Sequence, residues 1–139
     1  MRLLGDFFGF ARTSPLELAQ EIVRATNARD FPALERVLSR KFTFVDGDGN
    51  RVEGSAAFLD AARQLIAATP DFRLSIDRFD VTDESVVMHG ETLSADPDFA
   101  SEALWRVVTR RGKVHLIENY IASARARLVD YVANRPSAN

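Results

Sequence analysis

Two periods of hydrophobic and polar positions divide the chain. In the first half apolar residues recur at helical spacing. Ser14-Pro15-Leu16-Glu17 forms a capping box with proline at the first helical position, and Leu18, Ile22 and Val23 follow on one face. This predicts an amphipathic helix over 15–28. Asp30 caps a second, short helix carrying Phe31, Leu34, Val37 and Leu38. Lys41–Asp46 reads as a strand, and Asp46-Gly47-Asp48-Gly49-Asn50 as a turn. Gly54-Ser55 opens a third helix with Phe58, Leu59, Ala62, Leu65 and Ile66 on one side and Pro70 beyond its end.

From Phe72 the period changes to two. Strands are expected over Phe72–Val81, Ser85–Leu93, Glu102–Arg110 and Lys113–Ala122. Thr82-Asp83-Glu84 and Arg111-Gly112 supply tight turns, and 94–100 a longer loop. Residues 124–134 carry Leu128, Val129 and Val132 and read as a C-terminal helix. Three helices followed by antiparallel hairpins predict an α+β fold, a cone-shaped curved sheet wrapped around the N-terminal helices. The opening of such a cone is the expected small-molecule pocket.

Composition narrows this picture without redirecting it. At 139 residues the chain is one domain in length, with 46% hydrophobic and 27% charged residues and a formal charge of −2. That balance does not advertise a nucleic-acid partner. With no cysteine, disulfides and thiolate metal sites are excluded. No apolar stretch reaches the roughly 20 residues of a membrane span. Residues 1–13 form an apolar leader with Leu3, Leu4, Phe7, Phe8 and Phe10, interrupted by Asp6, which argues against a signal peptide. The expected location is cytoplasmic.

The candidate chemistry lies in the strands. His89 and Glu91 are two residues apart, so they share one face of the strand Ser85–Leu93. If that face is the inner one, an imidazole and a carboxylate enter apolar surroundings, where they need partners, water or a ligand. As a proton-transfer pair they would suit acid–base chemistry, and as a structural pair they would fix the sheet. Gly90 between them marks curvature or a bulge. His89 and Glu91 with Asp46 or His115 would be the available metal ligands, but their spacing matches no metal signature, and no metal or other cofactor is expected.

Asn27-Ala28-Arg29-Asp30-Phe31-x-x-Leu34, Gly54 before the third helix, and the terminal Gly112-Lys113-Val114-x-x-x-x-Asn119-Tyr120 resemble the nuclear transport factor 2-like superfamily, particularly its SnoaL-like branch. The resemblance covers about residues 14–122, so 14–123 are taken as the domain and 124–139 as a helix and tail. It implies a cystatin-like α+β barrel with the last strand central. It also implies an inward face made by Phe44 and Asp46, His89 and Glu91, Ala103 and Trp105, and His115, Ile117 and Asn119. In limonene-epoxide-hydrolase-like relatives an Arg-x-Asp pair, a last-strand Asp and first-strand Tyr and Asn do the work. The corresponding positions here are His89-x-Glu91, Asn119, Phe44 and Asp46, so the places match and the residue types differ. Ketosteroid isomerases, of the same fold, use an early tyrosine, and no tyrosine precedes Tyr120 here.

The resemblance thus implies binding of a small apolar organic molecule, with cofactor-free isomerisation, cyclisation, dehydration or hydrolysis as the attendant chemistry. His89 would move the proton, Glu91 orient it, Asn119 hold the substrate oxygen and Asp46 act as a second acid or base. Phe44, Trp105, Ala103, Ile117 and His115 would line the pocket. The alternative is a non-catalytic binding or interaction module. Relatives pair through the outer sheet face, which here implies a homodimer through Val108, Leu116, Glu118 and Tyr120, extended by Phe7, Phe8 and Phe10.

Overall fold

The computed structural model describes residues 13–121. The expected leader, but for Thr13, and the expected C-terminal helix lie outside them. Helix α1 spans Pro15–Ala28 and begins with the capping box: Glu17 N–H donates to Ser14 Oγ at 3.1 Å while Ser14 N–H donates to the Glu17 carboxylate at 3.0 Å. It ends at Arg29, whose left-handed backbone (φ 59°) lets its N–H reach back to the last turn. Helix α2, Phe31–Val37, is capped by the Asp30 carboxylate, which accepts from Ala33 N–H and is thereby held below the usual carboxylate range, with Arg24 contributing. Strand β1, Leu38–Asp46, follows directly.

Strand β2, Arg51–Glu53, folds back on β1 across the Asp46–Asn50 turn. It is absent from the sequence reading because three residues are too short to show a period. Helix α3 covers Ser55–Ala68, and the remaining strands are β3 (Arg73–Thr82), β4 (Ser85–Leu93), β5 (Ser101–Arg110) and β6 (Lys113–Ile121). Arg111 and Gly112 both have positive φ, 53° and 76°. That is the backbone a two-residue hairpin between twisted strands requires.

The six strands form one curved mixed sheet in the order β2-β1-β6-β5-β4-β3. All neighbours are antiparallel except β1 and β6, which run parallel. The last strand is therefore central, as the resemblance implied. The helices cover the concave face: α1 lies against β3, β4 and β5, α3 against β1 and β2, and α2 bridges the other two helices. Leu18, Ile22 and Ala25 of α1 meet Phe42, Val86, Met88, Val107 and Ile117 of the sheet in the core.

Two polar residues of α1 tie it to the far edge. Asn27 bonds both backbone groups of Leu74, donating to its carbonyl at 3.0 Å and accepting from its N–H at 2.9 Å. Arg29 donates to the carbonyls of Pro70 and Phe72. The Asn27–Arg29 motif is thus a clamp between α1 and β3. Gly90 sits where β3 shifts register between Ile76 and Arg78. A Cβ at this position would lie 2.0 Å from the Ser75 carbonyl oxygen and 2.8 Å from Ile76 Cα, so no larger residue fits. The irregularity expected from this glycine is present.

Candidate functional site

Register brings one row of side chains straight across the concave face. Asp46 of β1 pairs with Asn119 of β6, Asn119 with Trp105 of β5, Trp105 with Met88 of β4, and Met88 with Phe79 of β3. Between this row and the helices lies a cavity of about 120 Å³. Phe44, Trp105 and Ile117 form its sheet wall, and Phe58, Leu65 and Ile22 its helical wall. Phe44 and Phe58 rings pack with centroids 5.6 Å apart, which holds the two walls together.

Polar groups are few along this lining. Thr92 is already engaged: its hydroxyl donates to the Phe99 carbonyl at 2.7 Å and accepts from Ser101 N–H at 3.0 Å. Asn119 is different. It is 4% exposed, and among the described residues its amide nitrogen finds no hydrogen-bond partner. Leaving such a donor unmet costs about 1–3 kcal/mol. Among the described residues lining the cavity none is titratable.

Asn119 also borders a second, more polar hollow of about 240 Å³, shared with Asp46, Gly47, Asp48 and Tyr120. The two spaces meet at Phe44, Asn119 and Ile121. Asp46 is buried, and its carboxylate closes its own turn. One oxygen accepts from Asp48 N–H at 2.9 Å and Asn50 N–H at 3.0 Å, the other from the Asn50 side-chain amide at 3.0 Å.

The structure sets four expected site residues away from the cavity lining. His89 and Glu91 do share a face, but it is the outer one, away from the cavity. His89 Nε2 lies 2.9 Å from the Asp80 carboxylate and 3.2 Å from Arg78 Nη2 on neighbouring β3, and Glu91 is exposed. The physical reason is the alternate set on the same strand: Val86, Met88, Gly90 and Thr92 carry no charge, so turning them inward avoids desolvating an imidazole and a carboxylate. His115 falls where β6 shifts register against β5, between the pairings of Val114 and Leu116, and does not line the cavity. Ala103 is buried on the concave face without reaching the cavity lining.

Met88, Thr92 and Phe99 line the cavity and were missed. The uncharged alternation of β4 was the available signal for the first two. Phe99 comes from the β4–β5 loop, whose conformation local pattern does not encode. That loop is anchored by Asp71, whose carboxylate accepts from Ala95 N–H and Ser94 hydroxyl, both at 2.8 Å. These bonds, the backbone one foremost, hold the Asp71 carboxyl below the usual aspartate range.

Fold and cavity together define the class. Residues 19–115 match the SnoaL-like domain family, and the chain belongs to it. Solved structures agree in fold at low identity. A protein with a cystatin-like fold from Xanthomonas campestris superposes with a TM-score of 0.72 at 13% identity, covering 88% of this chain and 100% of that one. A SnoaL-like polyketide cyclase from Shewanella denitrificans gives 0.70 at 15%, over 78% and 90%. An LEH-like epoxide hydrolase from M. tuberculosis gives 0.66 at 12%, over 78% and 82%. A comparison with curated proteins returns no match by sequence.

Proposed function

We propose that this SnoaL-like protein binds a small, largely apolar organic molecule in the concave cavity, with its oxygen held by the Asn119 amide. The observation that carries this reading is an apolar cavity bordered by the Asn119 amide nitrogen, a buried hydrogen-bond donor without a partner among the described residues. At about 120 Å³ its volume is near that of an engineered dry cavity, about 150 Å³, known to take up benzene. Trp105 is the sole tryptophan and lines the cavity, so its indole N–H resonance reports occupancy directly. Titration with ring-sized neutral compounds is expected to shift that resonance, and Ala62→Phe, which fills the space from α3, to abolish the shift while helical circular dichroism is kept. Silence of the Trp105 signal to every such compound would sink the reading.

A second reading is favoured by Asp46, a carboxylate one strand from Asn119. It makes the protein a cofactor-free isomerase, cyclase, dehydratase or hydrolase with Asp46 as the base, in keeping with the cyclase and epoxide hydrolase among its structural relatives. His89 and Glu91 take no part in that scheme. Exchange of deuterium from solvent into the α-carbon of a bound ketone, lost in Asp46→Asn, distinguishes it from simple binding. We further propose pairing of two copies through the outer sheet face. Val108, Leu116 and Tyr120 stand there around an Arg106–Glu118 ion pair of 2.8 Å, and Tyr120 is 47% exposed.

A further inference from the structure

The junction between the two hollows has a hydrogen-bonding pattern that narrows the ligand further, resting on the binding reading above. At the junction stands Asn119, a residue 4% exposed whose amide nitrogen is unpartnered among the described residues. It offers N–H donors and so calls for an acceptor. Its neighbour is Asp46. A carboxylate has roughly four acceptor positions. The turn fills three of them, two on Oδ1 and one on Oδ2. One acceptor position on Oδ2 is left, and Asp46 is the register partner of Asn119.

Charge sets the second limit. No Lys, Arg or His is found among the described residues lining either space, while Asp46 and Asp48 border the outer one. An anionic ligand would meet two carboxylates and no counter-charge. An ammonium brings three donors where Asp46 has one open acceptor position. A hydroxyl brings one donor and matches.

We propose that the ligand is a neutral molecule with a ring-sized apolar body and a carbonyl oxygen next to a hydroxyl, an α-hydroxy ketone in the simplest case. The ring occupies the cavity beside Trp105, the carbonyl accepts from Asn119, and the hydroxyl donates to Asp46 Oδ2 in the outer hollow. Asp46 and Asn119 are paired neighbours on adjacent strands, so one small head group can reach both.

A series of five compounds tests this on the wild-type protein, with affinities from calorimetry and location from the Trp105 indole resonance. Acetophenone is expected to bind about fivefold tighter than ethylbenzene, the effect of one neutral hydrogen bond. Phenacyl alcohol, which adds the hydroxyl, is expected to gain about a further tenfold through a bond to a charged acceptor. Phenylglyoxylate, the anion, and phenacylamine, the cation, are expected to bind more weakly than acetophenone. Asn119→Leu should erase the first gain alone. Asp46→Asn, which keeps an oxygen for the turn, should erase the second alone.

Phenacyl alcohol no tighter than acetophenone would mean that water alone fills the junction, and would overturn the proposal while leaving the binding reading intact. Phenacylamine as the tightest of the five would overturn it in favour of a cationic head group. Failure of every compound, ethylbenzene included, would instead remove the binding reading itself.

Discussion

Asn119 carries two amide hydrogens into a space where nothing among the described residues receives them. Buried amides of purely structural role satisfy backbone groups, and this one does not. Stability and binding therefore pull in opposite directions at this residue. Asn119→Leu keeps the volume and removes the unmet donor, so the unliganded variant is expected to be more stable by about 1–3 kcal/mol in urea denaturation. A destabilised variant would show that the amide has a partner in solution. Asn119 was legible in the sequence through the resemblance, which marked its position. Asp46 was legible too, but in both its roles at once. The turn composition around it announced the hydrogen bonds that the carboxylate makes, and only the fold showed that one oxygen also borders a hollow.

At the scale of elements, helices and hairpins followed from capping, period and turn residues, and β4 shows where that reasoning failed. Its alternation contained the answer, since one set of positions is uncharged and the other holds His89 and Glu91. Placing the charged set inward gave analogy precedence over the cost of burying charge. The extent of the β4–β5 loop was legible but its conformation was not, because Phe99 is positioned by a hydrogen bond to Thr92 and by the Asp71 anchor, both distant or irregular in sequence. Asp71 makes that anchor sensitive to acid. Its folded value lies below the ordinary 3.8, so the contribution is complete above that value and is lost as the pH falls through the folded one. Amide exchange at Ala95, corrected for intrinsic rate, is expected to accelerate relative to core amides as the pH drops from about 5 to about 2. Asp71→Asn should show the faster exchange already at neutral pH.

At the scale of the whole molecule the sheet has a covered face and an outer face of mixed character. Val108, Leu116 and Leu104 there are half-buried, Tyr120 is exposed, and the Arg106–Glu118 pair is central to them. Pairing through that face would bury the ion pair, which then requires its partner. Sedimentation is expected to show a dimer for the wild-type chain and a monomer for Leu116→Lys, with the Trp105 cavity still able to bind. A monomeric wild type at tens of micromolar would remove the proposal of a homodimer.

One feature of the sheet reaches beyond the folded state. Among the described residues the single parallel pairing, β1 with β6, joins positions separated by more than half the chain's length, and β6 also supplies the central partner of β5. A growing chain on the ribosome therefore holds β1 and β5 with their inner edges bare until its last strand emerges. Such edges template pairing with other chains. Asn119 and Ile117 arrive with that same strand, so the ligand space comes into being only at the closing step. The bare edges thus persist through synthesis of the domain, and a ligand can contribute nothing until its closing strand is made.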